Sequence, residues 1–99
     1  MNYRILIQPE AETDIQDAYN WYEENSKGLG SEFIRVIDAS LSKISRNPYA
    51  YPTIYREFRR ILIRRFPYGL FYLVESEAIY IFACFHVKKN PKVWRERFK

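Results

Sequence analysis

Residues 3–8 alternate, with Tyr3, Ile5 and Ile7 set against Arg4, Leu6 and Gln8, the period-two pattern of a short strand with one strongly apolar face. Pro9 then suits a helix's first turn, where its missing N–H costs nothing. Behind it Ala11, Ile15, Ala18 and Tyr22 fall on one helical face, while Glu10, Glu12, Asp14 and Asp17 crowd the first two turns, where the helix dipole favours negative charge. Asn25 to Gly30 has turn composition with two glycines, and Ser31 is a plausible N-cap for a second helix. From Glu32 onward Phe33, Ile37, Leu41 and Ile44 again mark one helical face, until Asn47-Pro48 stops it. The two helices are therefore expected to form a hairpin.

After an aromatic connector, residues 49–55, three strands are expected, at about 57–65, 69–75 and 78–87, with Ser76-Glu77 as the last turn. This is an antiparallel meander in which Val74 faces Ile79, Tyr72 faces Ile81 and Leu70 faces Ala83. Leu73, Phe71, Tyr80, Phe82 and Cys84 then share the opposite sheet face, so both faces are apolar. A helical hairpin covers one of them. The other must close on the C-terminal tail, residues 92–99, or be buried by a partner. The expected fold is α+β: an N-terminal strand, a two-helix hairpin, and a three-stranded antiparallel meander with the helices on one face. It forms a single domain over residues 1–99.

Charge sharpens this picture. Residues 1–50 carry 5 Lys/Arg against 8 Asp/Glu, net −3, whereas residues 51–99 carry 11 against 4, net +7. A basic half of this kind favours an anionic or acidic partner and steers its approach at low salt. The one cysteine, Cys84, lies in an apolar strand and leaves no disulfide framework, which fits a reducing, cytoplasmic setting. No segment reads as a signal sequence or membrane span, so no membrane partner is expected. Neither a glycine-rich phosphate loop nor metal-ligand spacing is present, and no cofactor or metal is expected.

The order of elements, with Trp21-Tyr22-Glu23, Gly28-Leu29-Gly30-Ser31-Glu32-Phe33 and Arg46-Asn47-Pro48, resembles the RelE/ParE superfamily of bacterial toxins. The segments running from Arg65 to Tyr72 and from His86 to Arg97 are similar to the most diagnostic signatures of its ParE-like branch. The resemblance spans the whole chain. It implies the toxin of a type II toxin-antitoxin module, the class also described as plasmid stabilisation proteins, inhibited by a cognate antitoxin whose flexible segment wraps the toxin. The ParE-type branch is associated with poisoning DNA gyrase, and the RelE-type branch with cleaving messenger RNA on the ribosome.

Cleavage of the second type needs a base, a phosphate-binding arginine and an acid held together. In the RelE-type branch an arginine commonly opens the motif Arg-Leu-aliphatic-Tyr, whereas this chain has Gly69-Leu70-Phe71-Tyr72. The resemblance therefore implies a protein-binding toxin with no catalytic residues, probed at gyrase or another cellular protein. The alternative is a metal-independent endoribonuclease using His86, Arg64, Arg65 and Lys88, and a further alternative is an inactive relic that keeps antitoxin binding. Strand alternation puts Arg60 and Arg64 on one side and Arg59 and Arg65 on the other. These four arginines, with Phe71, Leu73, Tyr80 and Phe82, are the expected antitoxin-binding residues, through bidentate contacts to acidic side chains. Their plainer role is to protect an edge strand with charge. Lys88, Lys89, Trp94, Arg95 and Arg97 are the expected target-binding residues, although Trp94 in its plainer role folds back onto the sheet. On this reading, deleting residues 88–99 reduces toxicity more than antitoxin affinity.

Overall fold

Pro9 opens α1 (Pro9–Asn25), and Ala11, Ala18 and Tyr22 are its buried stripe, as the helical spacing predicts. The computed structural model describes residues 2–99. The second helix, α2 (Leu29–Arg46), begins two residues before the expected Ser31 cap, with Gly28 as N-cap in the left-handed region at φ 91°. The reason lies in α1: the Glu23 carboxylate accepts the Gly28 N–H at 2.9 Å and the Gly30 N–H at 3.0 Å, satisfying donors that a helix start leaves unpaired. A Cβ on Gly30 would sit 2.8 Å from the Tyr19 ring, so this glycine sets how closely the two helices approach.

A 3-10 turn (Pro48–Ala50) leads into β2 (Thr53–Tyr55), β3 (Phe58–Leu62), β4 (Tyr68–Glu75) and β5 (Ala78–His86). With β1 (Arg4–Ile7) they form one sheet of order β1-β5-β4-β3-β2. The meander β3-β4-β5 is antiparallel as expected, and β1, separated from it by the helical hairpin, lies parallel to β5, so the sheet as a whole is mixed. Two expectations about it are corrected. The connector contributes an extra edge strand, β2. The strand expected over 57–65 ends at Leu62, since the chain turns through Arg64 and through Arg65, whose φ is 71°.

Val74 faces Ile79 and Tyr72 faces Ile81 as expected, but Leu70 faces Cys84 rather than Ala83. A β-bulge leaves Phe82 without an opposing residue, so every later side chain of β5 changes face. Cys84 therefore joins the helix-side core with Phe33, Ile37, Ile44, Leu70 and Tyr72. Tyr72 closes that core by donating its hydroxyl to the Pro48 carbonyl at 2.6 Å.

The second sheet face is covered by the chain itself. After β5 a short helix, α3 (Pro91–Arg97), starts with Asn90 capping the Lys92 N–H and delivers Phe98 onto the sheet. Phe98 stacks on Phe58 at 4.4 Å and lies near Phe71, Phe82 and Phe85. Together with Ala83 these rings make a second, smaller core. Among the described residues no helix is long and apolar enough to cross a membrane.

Candidate functional site

β1 stops at Ile7, opposite Ile81, while β5 runs on to His86. That leaves the β1-side edge of β5 unpaired beyond Ile81, while β4 continues on its other side, and an ion pair fills the place. Asp14, carried by α1, accepts the Cys84 N–H at 3.0 Å and takes both ends of the Arg97 guanidinium, at 2.9 and 3.2 Å. Arg97 also donates to the Phe82 carbonyl at 3.1 Å and lies 4.8 Å over the Phe85 ring. The pair thus satisfies the bulged strand's backbone on one side and ties α3 to α1 on the other. Arg97, expected to reach a target, is consequently part of the structural clamp.

Trp94 likewise folds inward, 5.1 Å from Phe71 between ring centroids, so its plainer role is the one observed. Lys88, Lys89, Lys92 and Arg95 stay exposed and make no ion pair among the described residues. They form a cationic rim along the loop after β5 and the outer side of α3.

The expected antitoxin-binding residues divide in the same way. Phe71 is 1% exposed beneath Phe98 and Trp94, so the face expected to be open is closed at that point. Leu73, Tyr80 and Phe82 are partly buried around its margin. Arg59 is tied on the helix side, donating to the Tyr51 carbonyl at 2.6 Å and lying over the Tyr49 ring. Arg60 crosses the other face. Arg64 and Arg65 lie in the exposed β3–β4 turn instead of alternating along a strand, and Arg65 pairs with Glu32 at 3.2 Å.

The residues named for RNA cleavage share one end of the sheet without being joined. Tyr68 pairs with His86 in the sheet register, which puts the arginine turn near the end of β5. His86 Nδ1, however, accepts the Lys88 N–H at 3.1 Å, and its ring meets Tyr68 edge-on at 5.3 Å. Among the described residues no hydrogen bond or ion pair links His86 to Arg64, Arg65 or the Lys88 ammonium. Beside α1 a cleft of about 600 Å³ is lined by Trp21, Tyr22, Tyr68, His86, Lys89 and neighbouring residues. Trp21 lies outside the residues expected from the sequence to bind a partner, yet its 58% exposure is high for so large an apolar side chain.

Burial raises the phenols of Tyr22, Tyr68 and Tyr72, and pushes the Cys84 thiol from 9.0 up to about 12, with the Asp14 carboxylate adding to the rise. Across that interval the unfolded chain releases a Cys84 proton that the folded chain holds, so stability falls as pH rises. Tyr72 acts in the same direction. Unfolding free energy measured in urea is expected to decline from pH 9.0 towards 12, more shallowly in Cys84→Ala. Slow iodoacetamide labelling of native protein at mildly alkaline pH checks the thiol directly; rapid labelling contradicts its burial.

Residues 5–91 match the family model described as "ParE toxin of type II toxin-antitoxin system, parDE". The chain is 27% identical over 92 residues to Toxin ParE2 of Mycobacterium tuberculosis, in strains CDC 1551 / Oshkosh and ATCC 25618 / H37Rv, covering 92% of this chain and 88% of that protein. Its fold is similar to a chain in a structure of the chromosomal ParDE TA system from P. aeruginosa, with a TM-score of 0.76 and 14% identity, covering 85% of this chain and 95% of the other. It also resembles a chain of the toxin-antitoxin complex RelBE2 from Mycobacterium tuberculosis, with a TM-score of 0.61 and 17% identity over 87% and 99% of the two chains. With a family match that runs from β1 into α3, this chain belongs to the ParE toxins of type II toxin-antitoxin systems.

Proposed function

We propose that this toxin is neutralised by a cognate antitoxin and, when free in the cytoplasm, acts by binding a cellular protein, DNA gyrase, rather than by cutting RNA. The observation that carries the reading is the split in the C-terminal segment. Arg97, Trp94 and Phe98 are spent on holding the segment down, while Lys88, Lys89, Lys92 and Arg95 are exposed and, among the described residues, in no ion pair, Lys89 resting its ammonium 5.3 Å over the Phe85 ring. A rim of free cations on a fixed support suits an acidic protein surface.

Two features weigh against the endonuclease reading. Gly69 stands where a phosphate-binding arginine is expected in the RelE-type motif, and His86 turns its Nδ1 back onto its own loop. The assay is supercoiling by purified gyrase. Wild-type protein is expected to inhibit it, and the triple variant Lys88→Gln, Lys89→Gln, Arg95→Gln to lose at least tenfold in potency while keeping the wild-type melting temperature. Discrete codon-phased cuts in cellular messages with gyrase unaffected would replace this reading with the endonuclease. Normal growth without antitoxin, with neither effect, would leave the relic.

A further inference from the structure

Arg60 is held without being used. Its backbone pairs with Phe71 across β3 and β4, and its guanidinium carbon lies 5.7 Å over the Phe71 ring and 5.8 Å over that of Trp94. The stem passes directly over Gly69, where a Cβ would come 2.8 Å from Arg60 Cδ and 2.9 Å from Cγ. Gly69 therefore has a local physical reason to be glycine: it is the floor that lets Arg60 lie flat. A cation placed over aromatic rings in this way is held near them without using up its N–H donors. Among the described residues none of those donors meets an acceptor, and no carboxylate pairs with the group.

A second orphan lies against it. Among the described residues Trp94 Nε1 is buried with no hydrogen-bond partner, a state that buried polar groups ordinarily avoid. Two residues along β3 on the same face is Leu62, 55% exposed and standing opposite Gly69. Positions two apart on a strand are about 6.6 Å apart, the same spacing as alternate side chains of any extended peptide. A nucleic acid strand would call for another cation at that second position, where the chain has leucine. A peptide with an acid and an aliphatic residue two apart meets both.

We infer that Arg60, laid across Gly69 and against Trp94, is a carboxylate-recognition point, and that with Leu62 it reads an acidic and an aliphatic side chain two positions apart in an extended segment of the antitoxin. This rests on the antitoxin reading above. The carboxylate takes the free edge of the Arg60 fork and, with a small tilt of the indole, the Trp94 N–H. The bound segment lies along the strip of β3 that α3 leaves uncovered.

The test is a titration of ¹⁵N-labelled protein with the blocked peptide Thr-Glu-Thr-Leu-Thr and with its Gln counterpart, following the two indole N–H resonances, assigned with Trp21→Phe. The Glu peptide is expected to move the Trp94 resonance and not that of Trp21, and the Gln peptide to bind at least tenfold more weakly. Arg60→Met, which keeps the stem over Gly69, should abolish the difference with the rest of the spectrum unchanged, and Arg60→Lys should restore only part of it. An unmoved Trp94 resonance or equal binding of the two peptides would overturn the inference. So would an equal response to inorganic phosphate or to a short oligonucleotide. Antitoxin binding by the intact protein is measured separately, so this site can fail while the antitoxin reading stands.

Discussion

Replacing Phe98 with alanine is expected to lower the unfolding free energy by about 3–5 kcal/mol, the cost of emptying a buried aromatic site. Phe98 is 3% exposed and stacks on Phe58, and its ring also neighbours those of Phe71, Phe82 and Phe85, so almost everything on that side of the sheet depends on it. A shortened side chain leaves the cover over Phe71 incomplete, and exposed aromatic surface of that kind promotes self-association. Urea unfolding gives the energy and sedimentation the association. A midpoint equal to wild type would mean that α3 does not cover the sheet in solution. The same geometry changes the outcome expected for deletion of residues 88–99. Because the deleted piece includes part of the second core, toxicity and antitoxin affinity should fall together, where sequence alone suggested a selective loss of toxicity. Only substitutions confined to the exposed cations separate target binding from folding.

What could be read in the chain was what repeats. The two helices were legible because Ala11, Ala18 and Tyr22, and then Phe33, Ile37 and Ile44, recur at the helical period over many turns, and the buried faces follow that period. The strand pairs Val74–Ile79 and Tyr72–Ile81 were legible because a two-residue turn sets register locally. The bulge at Phe82 was hidden, since a run in which every residue is apolar looks the same whichever face each side chain takes. For that reason Cys84 was expected on the wrong face. β2 was hidden by Pro52 and by its length of three residues, too short for any alternation to show.

The candidate site was legible in composition and misleading in detail. Basic residues near the C-terminus suggested a binding edge, yet the sequence does not distinguish Arg95, which is exposed, from Arg97, two positions later, which is clamped. The partner that decides between them, Asp14, is 83 residues away and reads by itself as an ordinary acid near a helix N-terminus. Likewise Gly69 looked like the loss of a catalytic arginine, and only the path of Arg60 from the next strand shows what the missing side chain makes room for.

Asp14→Ala is expected to cost about 3 kcal/mol, towards the low end for removing one member of a buried ion pair. It strands two groups at once, the Arg97 guanidinium and the Cys84 N–H. Arg97→Met should cost less, about 2 kcal/mol, because the stem can still pack and Asp14 keeps its backbone donor. The double variant should be less destabilised than the two single changes added together, with a coupling of about 1–2 kcal/mol. Side-chain exposures of 24% for Arg97 and 16% for Asp14 place the pair between a surface bridge and a buried one, so moderate salt should weaken the coupling only slightly. Near-ultraviolet circular dichroism supplies a second readout, since Trp94 is held against Phe71 only while α3 is docked. Additive losses would mean that Asp14 matters only as a cap on the bulged edge of β5. Coupling together with a changed Trp94 signal in both single variants would show that one carboxylate closes the sheet edge and fastens the segment that carries the cationic rim.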